Sequence, residues 1–323
     1  MADFAKPGTL RPVLDSLTLN LDGSPASSST VARKRSALYS CLTYAVDLEL
    51  LPTKPMDRLK GHRPKHTDVV DRRVVVNPDQ ATQLSAAVRE LHPALEAYFA
   101  CLYYAGLRPA EVRHLREKDL TLPAEGWGEL LLMGSTPTAV RAWTDSGHAD
   151  EDRQLKHRAR QDTRLVPASP ELVAILRRHL RQFPSGHDGR LFVTRTGKAG
   201  VPLAAPYAKP QSMGIVYYVW DQARRAVLSD QLYQSPLAKR PYDLRHAAVS
   251  LWLNAGAPAT QVAEWAGHSV NVLLLVYAKC VYGQDEEAKA RVAVALKRRR
   301  HQSRAGVSRN FSAYSPQTPV AGR

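Results

Sequence analysis

Residues 239–279 read KRPYDLRHAAVSLWLNAGAPATQVAEWAGHSVNVLLLVYAK, a pattern that predicts short helices separated by glycines. Gly256 can take the left-handed conformation that ends a helix, Pro258 suits the first turn of the next helix, and Gly267 can end that second helix. The first helix has an apolar face formed by Leu244, Val249 and Leu251–Leu253. The turns between these helices can bring the polar side chains of successive segments toward the same place. The pattern therefore predicts a shared site formed by Arg245, His268 and Tyr277.

The combination of these three residues is more informative than any one of them. Singly, an arginine, a histidine or a tyrosine in a chain of this size most often serves the fold alone. Together, LRH at 244–246, GHS at 267–269 and a tyrosine nine positions after His268 resemble the second conserved box of the tyrosine recombinases, the phage integrase family. The segment AEWAGHSVNVLLLVYAK is similar to integrases of actinobacterial mobile elements.

An upstream arginine extends the resemblance. Residues 101–115, CLYYAGLRPAEVRHL, resemble the family's first box, in which a helix ends in glycine and the first catalytic arginine follows, here Arg108. Pro109 suits the first turn of the next helix, and the resemblance gives Glu111 the role of fixing the local structure. Two apolar positions of this segment are expected to face inward, Val112 and Leu115. Two arginines that meet at one point suggest a phosphate ligand.

Composition favours a polyanionic partner. The 323 residues include 45 Lys plus Arg and 30 Asp plus Glu, which gives a formal net charge of +15. Such a balance is typical of nucleic-acid-binding proteins, although basic ribosomal or membrane-attracted proteins share it. The sequence shows neither an apolar run long enough to span a bilayer nor a secretory signal in MADFAKPGTLRP, so cytoplasm is the default, and the family resemblance implies the bacterial nucleoid. The cysteines lack the spacing of zinc or disulfide sites and are expected to be reduced and structural: Cys41, Cys101 and Cys280.

The amino-terminal part is predicted to contain a helix that contacts DNA. Residues 1–28 have little periodicity and are expected to form a poorly ordered extension, followed by a partial helical core-binding region at 29–63 and a linker at 64–76. Ser29 or Thr30 can cap a helix with helical apolar spacing at Leu38, Cys41, Leu42 and Ala45. Its first turns either contact DNA phosphates or form a solvated basic face, through Arg33, Lys34 and Arg35. Family core-binding domains have several helices, so the chain is expected to begin partway through one.

Residues 77–296 are predicted to form the catalytic domain, and the fold class is mainly α with a small antiparallel sheet (α+β). Asn77 and Pro78 are expected to start a helix. Apolar stripes then follow at Leu84, Ala87, Val88, Leu91, Leu95, Tyr98, Phe99 and Leu102. Further helices are predicted at 171–181 and 215–228, and strands at 128–134, 162–168 and 190–194. A final helix near 284–300 either docks on a neighbouring protomer or packs on its own domain, and residues 297–323 are expected to be a basic, disordered tail.

The family resemblance implies a role for each site residue. Arg108 and Arg245 would clamp a phosphodiester, His268 would donate to it or help move a proton, and Tyr277 would attack it to form a 3′-phosphotyrosine. Lys156, on the predicted hairpin, would protonate the leaving 5′-oxygen, although Arg158 and Arg160 compete for that position. Neither metal nor nucleotide cofactor is implied. Four further cations are candidate DNA contacts, Arg158, Arg160, Lys239 and Arg240.

One position departs from the family pattern. Tyr242, a further candidate catalytic residue, stands three residues before Arg245, where the family has a histidine. A tyrosine can still hydrogen-bond a phosphate oxygen, but a phenol with a pKa of about 10 is a poor proton shuttle near neutrality. His246 directly follows Arg245, but one step along a helix turns it about 100° away, so it is expected to support the fold.

We therefore expect a site-specific recombinase that integrates or excises a mobile element. Its partners would be double-stranded DNA attachment sites and further protomers, as a dimer or tetramer on DNA and a monomer when free, with an accessory DNA-bending protein as a further partner and no membrane. Two alternatives stay open. One is a non-catalytic DNA-binding relative, and the other is a type IB topoisomerase that relaxes supercoils.

Overall fold

The structure is a computed structural model that describes residues 7–58, 69–156, 162–197, 200–277, 280, 289–290, 292–294 and 296. It divides into two compact units, Met1–Asp68 and Val69–Arg323. The described helices are α1 Pro7–Ser16, α2 Ser28–Asp47, α3 Pro78–Leu91, α4 Pro93–Tyr104, α5 Pro109–Val112, α6 Pro170–Gln182, α7 Met213–Val227, α8 Asp230–Gln234, α9 Asp243–Asn254, α10 Ala259–Ala266 and α11 Val270–Tyr277. No described helix is long and apolar enough to cross a membrane.

The first unit is more ordered than its sequence suggests. The expectation of poor order at 1–28 is wrong for α1, because Leu10 and Leu14 are buried against apolar residues of α2 and its continuation. The cap of α2 is Ser27 rather than Ser29 or Thr30, since the Ser27 hydroxyl accepts from the Thr30 amide at 3.3 Å. Cys41 is exposed, so its expected structural role is also wrong.

The second unit begins with the predicted helical pair. Asn77 and Gln80 cap each other reciprocally at the start of α3, with bonds of 2.8 and 3.0 Å, and Pro78 opens the helix. The predicted apolar stripe is buried along α3 and α4, at Leu84, Ala87, Val88, Leu95, Tyr98, Phe99 and Leu102. Leu91 is the exception: it is the last residue of α3 and is 51% exposed. The stripe therefore packs α4 into the core, and Arg108 follows shortly after the carboxyl end of this helix.

The sheet confirms the predicted fold class, mainly α with a small antiparallel sheet. In the described part of the chain it has the order β1 Leu120–Thr121, β2 Gly128–Leu132 and β3 Arg164–Ala168, all antiparallel. The predicted strand at 190–194 is wrong, since this segment makes isolated bridges through Arg190 and Val193. The segment is apolar because its residues are buried in the core, and not because it pairs as a strand.

The long connection between β2 and β3 is anchored at its base. Residues 135–138 and 150–153 form a ribbon through the bridges Ser135 with Arg153 and Thr138 with Asp150. Buried Arg113, just after α5, donates to the Thr136 carbonyl at 2.6 Å and to the Asp150 carboxylate at 2.7 Å. The ribbon is therefore tied to the segment that follows Arg108.

Residues near the carboxyl end are described only in part. The described residues of the predicted final helix, 289–290, 292–294 and 296, are helical. The expected tail at 297–323 lies outside the described residues, as does the stretch of the predicted linker at 64–68.

Candidate active site

Arg245 joins three segments of the chain at one buried point. Its side chain on α9 is fully buried and donates through Nη1 to the carbonyl of Gly106, just after α4. Its Nη2 donates to the carbonyl of Ala266, the last residue of α10, at 2.5 Å. The same Nη2 lies 3.0 Å from Nε2 of His268, so Arg245 and His268 are in direct contact.

Arg108 reaches the same turn from the other box. Its Nη2 donates to the carbonyl of Gly267 at 2.9 Å, the residue after the Ala266 carbonyl that Arg245 binds. Its Nη1 and its backbone amide each donate to the carboxylate of Glu111 at 2.8 Å. The side chain of Arg108 retains 15% exposure, which gives the site an edge that a ligand can reach. The two predicted arginines therefore meet.

A third arginine, Arg164 on β3, was not predicted. Its Nη2 donates to Glu111 Oε2 at 2.7 Å, and both side chains are almost fully buried. Burial pushes the pKa of Glu111 upward, but the charges of Arg164, Arg108 and Arg245 outweigh it and lower that pKa to about 2. The strand period could have indicated Arg164, since residues 164, 166 and 168 share the buried face of β3. One carboxylate thus faces three guanidinium groups, which leaves the cluster with excess positive charge.

His268 is held as a neutral imidazole. It follows Gly267, whose left-handed conformation (φ +65°) ends α10 as predicted. Burial, followed by the charges of Arg245, Arg108 and Arg164, lowers the pKa of His268 to about 3. Because a guanidinium can only donate, Nε2 of His268 accepts from Arg245 and Nδ1 carries the proton. That Nδ1 is buried and has no partner among the described residues.

Tyr277 ends α11 beside this cluster. Its side chain is buried, and its ring faces that of His268 with 6.2 Å between centroids. Burial raises the pKa of the phenol well above its ordinary value against the opposing charge of Arg245, so Tyr277 is protonated near neutrality. Its hydroxyl lies 3.0 Å from Nδ1 of His246. The expectation that His246 is turned away from the site is therefore wrong, because the face of α9 that carries His246 meets the end of α11. Its expected role in supporting the fold stays a prediction.

Two other predicted residues lie at the margin of the cluster. Tyr242 is half-buried at the start of α9, and its ring meets that of His246 edge to face with 5.0 Å between centroids. Lys156 is exposed in a turn, one residue after buried Leu155, and in the described part of the chain it makes no hydrogen bond to the arginine cluster. Arg158 and Arg160 lie outside the described residues.

The residues predicted to contact DNA differ in how exposed they are and in the contacts that they make within the protein. Arg33 is exposed on α2, and Arg35 is half-buried on the same helix. Lys34 donates to the Leu19 carbonyl at 2.5 Å. Lys239 and Arg240 precede α9 and are exposed, and Arg240 pairs with Asp243 at 3.0 Å.

The charge balance of the cluster suits an anionic ligand. Planar guanidinium groups bind phosphate oxygens through paired, charge-assisted hydrogen bonds, and the free Nδ1–H of His268 adds a neutral donor. Among the described residues, no group of three or more His, Cys, Asp or Glu side chains is placed to hold a metal ion.

Comparison with known proteins gives a consistent result. No protein-family model matches the chain. It is 21% identical over 253 residues to a protein named tyrosine recombinase from Thermosipho africanus (strain TCF52B), a match that covers 77% of this chain and 71% of that protein.

The fold is shared with two solved recombinases. The Tn1549 transposon integrase in complex with circular intermediate DNA superposes with a TM-score of 0.55 at 16% identity, over 90% of this chain and 84% of that one. The XerH site-specific recombinase bound to a palindromic difH substrate, in a post-cleavage complex, gives a TM-score of 0.53 at 14% identity, over 87% and 71% of the two chains.

Proposed function

We propose that the chain is a tyrosine recombinase that cleaves and rejoins DNA at specific sites through a covalent phosphotyrosine, a proposal that its similarity to a protein named tyrosine recombinase supports. The observation that carries the proposal is the convergence of Arg108, Arg245, His268 and Tyr277 on one buried, positively charged turn. These residues come from distant boxes of the sequence. Their meeting supports a shared role in binding and attacking one phosphate.

The arginines are suited to bind the scissile phosphate. A phosphodiester resists attack because its charge repels nucleophiles, and its transition state spreads further charge over the phosphoryl oxygens. Arg108 and Arg245 would bind those oxygens, and Nδ1–H of His268 would donate a further hydrogen bond. The carbonyls that hold the guanidinium groups fix their orientation before DNA binds, so little reorganisation is needed during the reaction.

Tyr277 is the proposed nucleophile. Its Oη would form a bond to phosphorus while the bond from phosphorus to the 5′-oxygen breaks, leaving a 3′-phosphotyrosine. Lys156 would protonate the departing 5′-oxygen. The intermediate conserves the energy of the phosphodiester, so a 5′-hydroxyl can reverse the step on the same or another strand.

The biological setting is proposed from the same relatives. We propose double-stranded attachment sites as substrate, more than one protomer on the DNA, and integration or excision of a mobile element in the bacterial cytoplasm. The Tn1549 transposon integrase and its circular intermediate DNA support the mobile-element part.

A binding-only relative is the second candidate. The observation that favours it is Tyr242, which stands where the family pattern has a histidine and here contacts His246. Such a protein would bind the same DNA and leave it intact.

The deciding experiment is a denaturing-gel search for a protein–DNA adduct on a nicked duplex built from the gene's own flank. Wild type should give a nuclease-sensitive shifted band, and Tyr277→Phe should give none while binding the duplex normally, since it loses one hydroxyl. Binding by wild type without an adduct would support the binding-only relative. An adduct that persists in Tyr277→Phe would refute the nucleophile assignment.

The role of Lys156 is tested in the same assay. Lys156→Ala should slow cleavage of a normal strand and spare a strand whose 5′-oxygen is replaced by sulfur, because a thiolate leaves without protonation. Lys118→Ala, a second exposed lysine in the same unit, is the control and should cleave both strands at the wild-type rate. Equal slowing of both strands by Lys156→Ala would place the general acid elsewhere.

A further inference from the structure

The hydroxyl of Tyr277 has a specific neighbour that the family resemblance does not assign. Nδ1 of His246 lies 3.0 Å from Tyr277 Oη, and the two rings are 5.7 Å apart between centroids. In the described part of the chain, His246 is the hydrogen-bond partner found for this hydroxyl. A protonated phenol donates, so His246 Nδ1 accepts and the ring proton lies on Nε2.

Among the described residues near Tyr277, the other candidates are poorly suited to accept its proton, including Cys280, whose thiol pKa is raised by burial. A neutral imidazole has one acceptor nitrogen, and His268 uses that nitrogen for Arg245. The guanidinium groups of Arg245 and Arg108 have no acceptor and only donate. Tyr242, which occupies the usual histidine position, is itself a phenol, so it has no thermodynamic advantage over Tyr277 in binding the proton.

The surroundings of His246 keep it available as a base. Tyr242 packs on its ring from the start of α9, Tyr277 contacts it from α11, and the ring of His268 stacks with that of Tyr277. Burial, followed by the charges of Arg245 and Arg240, lowers the pKa of His246 to about 4. The imidazole is therefore neutral near pH 7 and has a lone pair directed at the hydroxyl.

We propose that His246 accepts the proton of Tyr277 as the tyrosine attacks the scissile phosphate, an inference that rests on the proposed function. In cleavage, the Oη–H proton passes to Nδ1, the bond between Oη and phosphorus forms, and the bond from phosphorus to the 5′-oxygen breaks as that oxygen takes a proton from Lys156. In rejoining, the 5′-hydroxyl returns its proton to Lys156 and attacks phosphorus, and Tyr277 leaves and recovers its proton from His246. No further reactant is needed.

The test is single-turnover cleavage of the nicked duplex between about pH 6 and about pH 8, by wild type and by His246→Asn. The Oδ1 of asparagine can accept the hydrogen bond and cannot take the proton. The wild-type rate should be nearly independent of pH, since His246 is already neutral in this range. His246→Asn should cleave about 10²- to 10⁴-fold more slowly near pH 7 and gain about tenfold per pH unit, because it depends on phenolate formed in solution.

The matched control is His187→Asn. His187 is exposed, and its Nδ1 also has an oxygen neighbour, the Tyr207 carbonyl at 3.2 Å. This variant should retain the wild-type rate and the flat profile.

The outcomes separate the two proposals. If wild type forms no adduct that depends on Tyr277, the proposed function fails. If wild type forms that adduct and His246→Asn cleaves at the same rate with the same profile, only the role of His246 is refuted. If His246→Asn does not fold, the wild-type profile decides, because a tenfold rise per pH unit in wild type would mean that no neutral base acts on Tyr277.

Discussion

Glu111 is the residue on which the arginine cluster depends. It accepts from Arg108 and from Arg164 while almost fully buried, and it is the carboxylate that Arg245 also faces electrostatically. A buried ion pair is costly to form, but removing one partner is costlier because it strands the other charge. The carboxylate therefore sets the stability of the site as well as its geometry.

Replacing this carboxylate should destabilise the protein in a pH-dependent way. Glu111→Gln should lower the free energy of unfolding by about 3–5 kcal/mol at pH 7. The folded-state pKa of Glu111 is depressed, so its stabilising effect is present above the unfolded pKa and is lost as pH falls from 4.5 through about 2. Denaturant unfolding at several pH values should thus show the two proteins converging in acid.

The control for that measurement is Glu96→Gln. Glu96 pairs with Arg178 at 2.6 Å, and Arg178 is one-third exposed, so the loss should be about 1 kcal/mol or less. Equal losses for the two variants, or a Glu111→Gln effect that persists at pH 2, would contradict the central role of Glu111.

At the scale of single residues, the sequence predicted the members of the site that belong to recognisable motifs. Arg108, Arg245, His268 and Tyr277 meet as expected, although their catalytic roles stay predictions. Arg164 was missed because its partner is 53 positions away: the strand period could place Arg164 on the buried face of β3 but could not identify Glu111 as its partner. The contact of His246 with Tyr277 was missed because the prediction considered rotation about α9 alone and not the end of α11 that packs against it.

Among the elements, the turn between α10 and α11 has the tightest steric requirement. Gly267 has φ +65°, and a Cβ there would lie 2.1 Å from Arg164 Nη1 and 3.2 Å from Arg108 Nη1. Two guanidinium groups therefore pack directly against the bare Cα. Glycine is needed at this turn both for its conformation and for the space it leaves.

Gly267→Ala should combine two costs. The left-handed conformation costs about 1–2 kcal/mol for an L-residue, and the methyl group must also displace Arg164. Gly126→Ala is the matched control, since Gly126 has φ +85° and its Cβ would meet no described atom within 4 Å. Thermal unfolding should show a larger loss for Gly267→Ala, and adduct formation should fall in that variant alone. Indistinguishable behaviour of the two variants would show that Arg164 moves aside without consequence.

Element boundaries were predictable where capping chemistry is local. Asn77 with Pro78 and the glycine end of α10 are where the sequence placed them. The prediction of a strand at 190–194 was wrong because β-branched and aromatic residues are typical both of strands and of irregular segments that are buried in a core. Strand β1 is two residues long and leaves no periodic signal.

At the scale of the whole molecule, the net charge of +15 implies salt-dependent DNA binding. Each phosphate contact that is lost reduces the slope of log K against log salt by about 0.9. Arg33→Ala should produce such a reduction, because Arg33 is exposed on α2 among the predicted DNA contacts.

Arg89→Ala is the control for this measurement, since Arg89 is also exposed, lies in the last turn of α3 and was not predicted to contact DNA. Fluorescence anisotropy titrations at a series of salt concentrations give both slopes. If Arg33→Ala and Arg89→Ala leave the slope equally unchanged, the basic turns of α2 are a solvated face, which is the alternative that the sequence left open.

Under the proposed function, the burial of the Tyr277 side chain has a consequence for the DNA that is not a target. Attraction between a cationic protein and phosphates is indiscriminate, so such a protein would spend most of its time on DNA that it must not cut. A phenol held at 1% exposure against His246 is withheld from those chance encounters. Under the proposed function, cleavage would then require DNA that brings its phosphate to the buried hydroxyl while His246 stays in contact with it, and tight binding alone would leave the genome uncut.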